Sequence, residues 1–214
     1  MFDEHKFEKI DTEEKAYWLG FLDADGCIHN GRNYDYGIEL GLQEQDYSHL
    51  VKFKDFIEKD NKICYREKIN SYRYQFKNKT MNKDLINLGC VPHKSLILKF
   101  PDEDQVPDNF LIPFIRGYFD GDGSISVDKN YHLRFRLCAH RPELLEDIAL
   151  YLSKKYNCSY SLSQDKRQLW ELSISTKYAK QIFKDLYSLN SIRLDRKYQK
   201  YLEYINHETM TSLL

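Results

Sequence analysis

A chain of 214 residues suits one large domain or two small ones, and its 42% hydrophobic and 30% charged residues are typical of a soluble globular protein. No apolar run approaches the roughly 18 residues of a membrane-spanning helix, so we expect no membrane partner. The net charge of −1 excludes a generally basic surface, and any nucleic-acid-binding surface must therefore be local. Five scattered cysteines and an acidic start without an apolar signal core predict an intracellular protein.

The first half of the chain predicts the element order αββαββα from its hydrophobic periodicity. In chain order, the assignable elements are a helix over Glu13–Leu22, a strand over Tyr36–Gln43, a helix over Tyr47–Lys59, a strand pair ending in Tyr72–Lys77 and a short helix around Asn82–Leu88. A stiff connection follows over residues 99–109, which contain Pro101 and Pro107. We therefore expect an N-terminal repeat over residues 1–98.

The second half, residues 110–214, repeats this order. Its elements are a helix over Phe110–Phe119, a strand over His132–Cys138, a helix over Pro142–Tyr156, a strand pair ending in Gln168–Ile174, a short helix over Tyr178–Leu189 and a terminal helix over Arg196–Asn206. The two halves thus predict an α+β fold built from two related repeats.

Each repeat begins with a similar motif, WLGFLDADG over Trp18–Gly26 and IRGYFDGDG over Ile115–Gly123. Asp122 follows Asp25 by 122 − 25 = 97 residues, close to half the chain. One D-x-D-G segment alone is typical of a turn. Two copies, each ending an apolar, glycine-bearing helix before a similar strand, indicate a functional pair.

Small residues four apart line one face of each motif helix, Gly20 with Ala24 and Gly117 with Gly121. Such faces allow two helices to approach backbone to backbone, which predicts that the motif helices pack against each other. The glycines that follow the motif acids, Gly26 and Gly123, would let each chain turn into the next strand.

Asp25 and Asp122 would then end both helices side by side. Two adjacent carboxylates repel, and a divalent cation removes that conflict. Carboxylate oxygens suit Mg²⁺ or Mn²⁺ together with substrate phosphates, and a cation of this kind can assist phosphodiester hydrolysis. We expect Asp25 and Asp122 to be metal-binding, catalytic residues.

At these residues the chain resembles the LAGLIDADG homing endonucleases of the single-chain, two-motif type. The segments 94–101 and 194–198 resemble the stretches with which that family joins and closes its two copies. The resemblance implies a monomer whose two pseudo-symmetric αββαββα repeats form a saddle over double-stranded DNA, with the motif helices at the central interface. It also implies site-specific cleavage of both strands at a long, asymmetric target, one strand per carboxylate.

The resemblance assigns further catalytic roles. Lys94 and Lys197 occupy the places of the basic residues near the family's active sites. Gln43, at the end of the second strand, would help to order water, and its counterpart in the second repeat would be Cys138 or a neighbour.

Alternation along two strands supports a DNA-binding face independently of the resemblance. If the apolar residues of these strands face the core, the residues between them face away, and they are the types that contact phosphates and base edges, namely Arg73, Gln75, Lys77, His132, Arg134 and Arg136. Glu39 and Glu171 share these faces, where they would accept a hydrogen bond from cytosine or weaken the affinity for DNA. The remaining alternatives are an intron-splicing maturase with intron RNA as partner and a non-cleaving DNA-binding regulator of the same fold.

Overall fold

The structure is a computed structural model that describes residues 1–29, 36–94, 97–166, 168–188 and 191–212, with backbone only for 211–212. The elements of the first repeat are α1 (Glu13–Asp25), β1 (Gly26–Ile28), β2 (Gly37–Gln43), α2 (Tyr47–Ile57), β3 (Ile63–Arg66), β4 (Ser71–Lys77) and α3 (Lys79–Asn87). Those of the second repeat are α4 (Leu111–Asp122), β5 (Gly123–Val127), β6 (Leu133–Ala139), α5 (Pro142–Tyr156), β7 (Ser161–Gln164), β8 (Trp170–Ser175), α6 (Thr176–Leu186) and α7 (Asp195–Ser212). The predicted order αββαββα is confirmed in both repeats.

The strands form two four-stranded antiparallel sheets with the same topology, β1-β2-β4-β3 and β5-β6-β8-β7. Short strands of this kind are stable only when one face is covered. Helix α2 covers the first sheet, and helices α5 and α6 cover the second. The predicted α+β class with two related repeats is confirmed.

Burial alternates along the central strands, as the sequence predicted. Tyr74 and Phe76 of β4 are buried, and Leu133, Phe135 and Leu137 of β6 are fully buried. The residues between them lie on the opposite face of each sheet and are half-buried or exposed. Each sheet therefore has one apolar face against its helices and one polar face that the helices leave uncovered.

Several element ends differ from the predictions. Helices α1 and α4 run three residues beyond Leu22 and Phe119, because the motif residues themselves are helical. His132 precedes β6 and belongs to a turn, in which its backbone N–H donates to Asp128 Oδ1 at 3.1 Å. Gln168 has a left-handed φ of 65° and lies before β8, while Ser95, Leu96 and Leu189 lie outside the described residues.

Proximity of Cα atoms divides the chain into two compact units, Met1–Gly121 and Asp122–Leu214. Helix α4 groups with the first unit because it packs closely on α1. The domain boundaries drawn from the sequence repeat, 1–98 and 110–214, stay a prediction.

Over the described part of the chain, no helix is both long and apolar enough to cross a bilayer.

Candidate active site and nucleic-acid interface

The motif helices α1 and α4 touch through their main chains. A Cβ atom on Gly20 would lie 2.0 Å from the Phe114 carbonyl oxygen, and one on Gly117 would lie 1.9 Å from the carbonyl oxygen of Tyr17. A Cβ on Gly121 would lie 2.3 Å from that of Ala24. No side chain fits at these three positions, so the predicted backbone-to-backbone contact of the motif helices is confirmed.

Asp25 and Asp122 are the last residues of α1 and α4, and both are exposed. A carboxylate at the C-terminal end of a helix faces the negative end of the helix dipole, which favours a cation beside it. Gly121 leaves open the space beside Asp25, because a Cβ there would lie 3.3 Å from Asp25 Oδ2. Exposed hard oxygen donors at this position fit a divalent cation.

The glycine after the first motif acid has a different role from the expected one. Gly26 has φ −75° and ψ 160°, an extended conformation open to any residue, so it is not a left-handed cap. A Cβ at this position would lie 2.6 Å from the Leu22 carbonyl oxygen. Close approach to the preceding helical turn, and not conformational freedom, therefore accounts for the glycine.

Lys94 lies beside the first motif acid, because its Nζ donates to the carbonyl oxygen of Gly26. Close to it is Asp23, which is buried, and one of its carboxylate oxygens has no hydrogen-bond partner among the described residues. Burial raises the pKa of Asp23 to about 7, although a hydrogen bond from Cys90 and the charge of Lys94 act in the opposite direction. The sequence prediction included Lys94 but missed Asp23 and Cys90 as its neighbours.

The equivalent acid of the second motif, Asp120, has different partners. Tyr17 Oη donates to Asp120 Oδ2 at 2.8 Å and lies 2.9 Å from His49 Nε2. All three side chains are buried. The guanidinium of Arg116, also buried, lies 5.5 Å from the centre of the Tyr17 ring and 3.6 Å from a Glu13 carboxylate oxygen. A polar network therefore joins α1, α2 and α4.

The strand register clarifies the position of Gln43. Gly26 pairs with Leu40 and Gly123 pairs with Leu137, so the 97-residue offset holds for both strands of each pair. Gln43 is exposed at the end of β2, on the side at which α1 enters the sheet. The offset places His140 as its counterpart, because 43 + 97 = 140, and makes Cys138 the counterpart of Gly41. The same offset, applied to the sequence, would have found His140.

Lys197, the other predicted basic residue, lies in the first turn of α7 and is 5% exposed. A buried ammonium group needs partners, which distinguishes it from an ordinary surface lysine. Its catalytic role stays a prediction.

The polar face of the first sheet contains three of the predicted DNA-binding residues. Arg73 and Gln75 are half-buried and Lys77 is exposed. Arg73 Nη1 lies 3.5 Å from Glu39 Oε2, so the glutamate shares this face with the cations.

The polar face of the second sheet contains Arg134 and Arg136, and the outer strands β5 and β7 contain serines. Arg136 Nε lies 3.7 Å from Glu171 Oε1, and Arg134 Nη2 lies 3.9 Å from Asp128 Oδ2. His132 also contacts Asp128, through Nδ1 at 3.0 Å. The predicted residues therefore lie on or beside one face in each unit, and the strand arginines Arg73, Arg134 and Arg136 each have an acidic neighbour.

Within the described residues, no three His, Cys, Asp or Glu side chains are grouped to hold a metal ion. The arrangement expected from the sequence has two carboxylates, with the remaining ligands supplied by phosphate and water. A protein-only cluster of three ligands is therefore not what these motifs predict.

Residues 109–187 match the family model of the LAGLIDADG-like domain. The chain is 27% identical over 196 residues to the probable translation initiation factor IF-2 of Methanocaldococcus jannaschii, a match covering 85% of this chain and 16% of that protein. It is also 27% identical over 179 residues to the RNA polymerase subunit Rpo1C of the same organism, covering 80% of this chain and 19% of that protein. The chain thus spans less than a fifth of these relatives, whose names describe unrelated activities.

Solved structures match along nearly the whole chain. I-SmaMI bound to uncleaved DNA with calcium ions has a TM-score of 0.62 at 13% identity, covering 92% of this chain and 91% of that one. I-DmoI in complex with DNA and Mn has a TM-score of 0.54 at 17% identity, covering 87% and 98%. At these identities the likeness shows the fold alone, and it is the fold that the resemblance implied.

Proposed function

We propose that this chain, which has the fold of LAGLIDADG homing endonucleases, cuts both strands of duplex DNA at a long, asymmetric site with Mg²⁺ or Mn²⁺. The observation that carries the proposal is that both motif acids, Asp25 and Asp122, are present and exposed as the last residues of their helices. A protein that only bound DNA would not need both carboxylates. Each acid serves one strand, and two motifs in one chain make a dimer unnecessary.

The metal-binding part of the proposal has chemical support. Asp25 and Asp122 supply hard oxygen ligands, and Gly121 keeps the space beside Asp25 open. A bound divalent cation would offset the negative charge of the carboxylates and of the scissile phosphate. The solved structures of similar fold include DNA complexes prepared with Mn and with Ca.

The chain's own residues hold this region in place. The main-chain contact at Gly20 and Gly117 fixes the two motif helices. Lys94 binds the Gly26 carbonyl next to Asp25, where its positive charge favours a nearby phosphate. Gln43 and His140 are exposed at equivalent strand ends, and we assign them to ordering water in their respective halves.

DNA binding is assigned to the polar faces of the two sheets, one half-site for each repeat. The side chains that contact DNA are Arg73, Gln75, Lys77, His132, Arg134 and Arg136. Because the two faces differ in sequence, their half-sites differ as well. Arg and Gln side chains on such a face are suited to guanine and adenine edges in the major groove.

Cleavage selection on a randomised duplex library tests this proposal. The chain is incubated with the library and Mg²⁺, and in parallel with EDTA, and the ends of the products are sequenced. We expect double-strand breaks at one asymmetric sequence in Mg²⁺ alone. Enrichment of a bound sequence without any break would instead identify a non-cleaving DNA-binding protein, and the absence of both results would overturn the proposal.

A further inference from the structure

One carboxylate, that of Glu39 in β2, organises the polar face of the first sheet. Glu39 Oε2 lies 3.5 Å from Arg73 Nη1 and 3.7 Å from His29 Nε2, and Oε1 lies 3.8 Å from Arg66 Nη1. The Glu39 side chain is 16% exposed, whereas the three basic side chains are 37–45% exposed. The acid is therefore the less exposed centre of a group of more exposed basic side chains.

The strand register explains how Arg73 reaches this acid. Arg73 is directly opposite Gly41, and Glu39 is opposite Gln75, so Arg73 and Glu39 are diagonal neighbours. Long side chains span this separation in an antiparallel pair. Gly41 has no side chain that could stand between them.

The second sheet has an equivalent ion pair with the charges exchanged. The 97-residue offset makes Arg136 the counterpart of Glu39, and the register of β8 makes Glu171 the counterpart of Arg73. Arg136 Nε lies 3.7 Å from Glu171 Oε1. A diagonal ion pair therefore occurs at the same place in both repeats, although the acid and the base have changed strands.

Partly exposed pairs of this kind contribute little to stability, because water screens them. Their effect on DNA binding is larger. Phosphate contacts act on every sequence alike, whereas contacts to base edges distinguish sequences. A carboxylate that holds an arginine over the sheet competes with phosphates for that arginine, and so weakens binding to non-target DNA.

We propose that Glu39 is a specificity-determining residue, which keeps Arg66 and Arg73 from phosphates and presents them to base edges in the first half-site. Arg136 and Glu171 form the counterpart in the second half-site, with opposite charges at equivalent positions. The arginines that read the two half-sites are therefore held from different strands, by Glu39 of β2 in the first sheet and by Glu171 of β8 in the second. This inference rests on the proposed function.

The test compares wild type with Glu39→Gln, which removes the charge and keeps the size of the side chain. Dissociation constants are measured for the selected target and for a random-sequence duplex at several salt concentrations without divalent metal. We expect Glu39→Gln to bind the random duplex more tightly than wild type. The logarithm of the association constant, plotted against the logarithm of the salt concentration, should have a slope that is more negative by about one unit for each arginine that moves to a phosphate.

The preference for the target should fall at the same time. Loss of one arginine-to-base contact should lower the ratio of target to random affinity at least about fivefold. Glu143→Gln is the matched control, because it removes the same charge from an exposed glutamate paired with Arg141, outside both sheets. This control should leave the ratio unchanged, and circular dichroism confirms that both variants are folded.

A double-mutant cycle tests whether Glu39 acts through its arginine. In a background that carries both Arg66→Gln and Arg73→Gln, Glu39→Gln should change the random-duplex affinity less than it does in wild type. Glu171→Gln should repeat the single-variant result on the second sheet, through Arg136. Equal effects in both backgrounds would show that Glu39 acts only through net charge, and the proposal would then be wrong.

The two levels of proposal fail differently. If wild type has no preference for any DNA sequence, the proposed function is overturned and this inference with it. If wild type prefers its target and Glu39→Gln changes neither the ratio nor the salt slope, only the role of Glu39 is overturned.

Discussion

Gly117 lies so close to the carbonyl group of Tyr17 that a Cβ on the glycine would be 1.9 Å from the carbonyl oxygen. Its counterpart in α1, Gly20, has the same relationship to Phe114 at 2.0 Å. Main-chain atoms cannot rotate away as a flexible side chain can. The pair therefore sets the distance between the two helices that end in the motif acids.

Gly117→Ala should destabilise the protein by at least about 2 kcal/mol, because the added methyl group forces two backbones apart. Chemical denaturation measures the change. Gly41→Ala is the control, since its Cβ would make only an ordinary contact at 3.8 Å and its cost should be much smaller. Equal stability of the two variants would contradict the helix contact.

Asp25→Asn and Asp122→Asn should each abolish double-strand cleavage and leave DNA binding intact, because each substitution removes a charged oxygen ligand without changing side-chain size. Supercoiled plasmid carrying the selected target separates cutting from nicking on a gel. We expect nicked product at most from either single variant and none from the double variant. Wild-type levels of linear product from either single variant would show that the acid is not catalytic.

Replacing the strand-face cations one at a time should separate base contacts from phosphate contacts. The variants are Arg73→Ala, Lys77→Ala, Arg134→Ala and Arg136→Ala. A base contact should cost about 1–3 kcal/mol at one target position, whereas a phosphate contact should weaken binding to all sequences and reduce the salt slope by about one unit. Titration with DNA at several salt concentrations distinguishes the two kinds of contact. If all four variants bind DNA like wild type, these faces do not contact DNA.

The buried carboxyl of Asp23 should make stability depend on pH. Its pKa is about 7 in the folded protein and about 3.9 in an unfolded chain. The folded state therefore holds the proton more strongly, and stability falls as pH rises from about 4 to about 7. The Asp23→Asn variant lacks this pH dependence. Its free energy of unfolding relative to that of wild type should therefore rise by on the order of 3 kcal/mol between pH 5 and pH 8, because wild type loses stability over this range.

Denaturation of the metal-free protein at both pH values measures this difference. Asp104→Asn serves as the control, because it makes the same substitution at an exposed aspartate. A parallel pH dependence in wild type and in Asp23→Asn would show that Asp23 is not the titrating group.

The sequence predicted the parts of the molecule that depend on periodicity and spacing. Alternation of apolar residues placed Arg73 and Arg134 on the polar faces, and the spacing of Gly117 and Gly121 identified the helix contact. These features are encoded locally, by the two-residue repeat of a strand and the near four-residue repeat of a helix. The helix bounds drawn from periodicity stopped at Leu22 and Phe119, although the motif acids were expected to end the helices, as they do in α1 and α4.

What the sequence did not show depends on contacts between distant segments. Arg66 reaches Glu39 from the outer strand β3, and no local pattern predicts that distance. Cys90 lies 67 residues from Asp23, since 90 − 23 = 67, and only the fold brings them together. Gly26 was assigned to a turn conformation, whereas the close approach of Leu22 is visible only in three dimensions.

The main-chain contact between α1 and α4 also bears on how such proteins diverge. A contact between backbones restricts the size of two residues in each helix and leaves the chemistry of most others open. I-SmaMI and I-DmoI match this fold at only 13–17% identity, which is compatible with a contact that restricts so few side chains. In this chain the contact is encoded by two small residues four apart followed by an acid, Gly20, Ala24 and Asp25 in α1 and Gly117, Gly121 and Asp122 in α4.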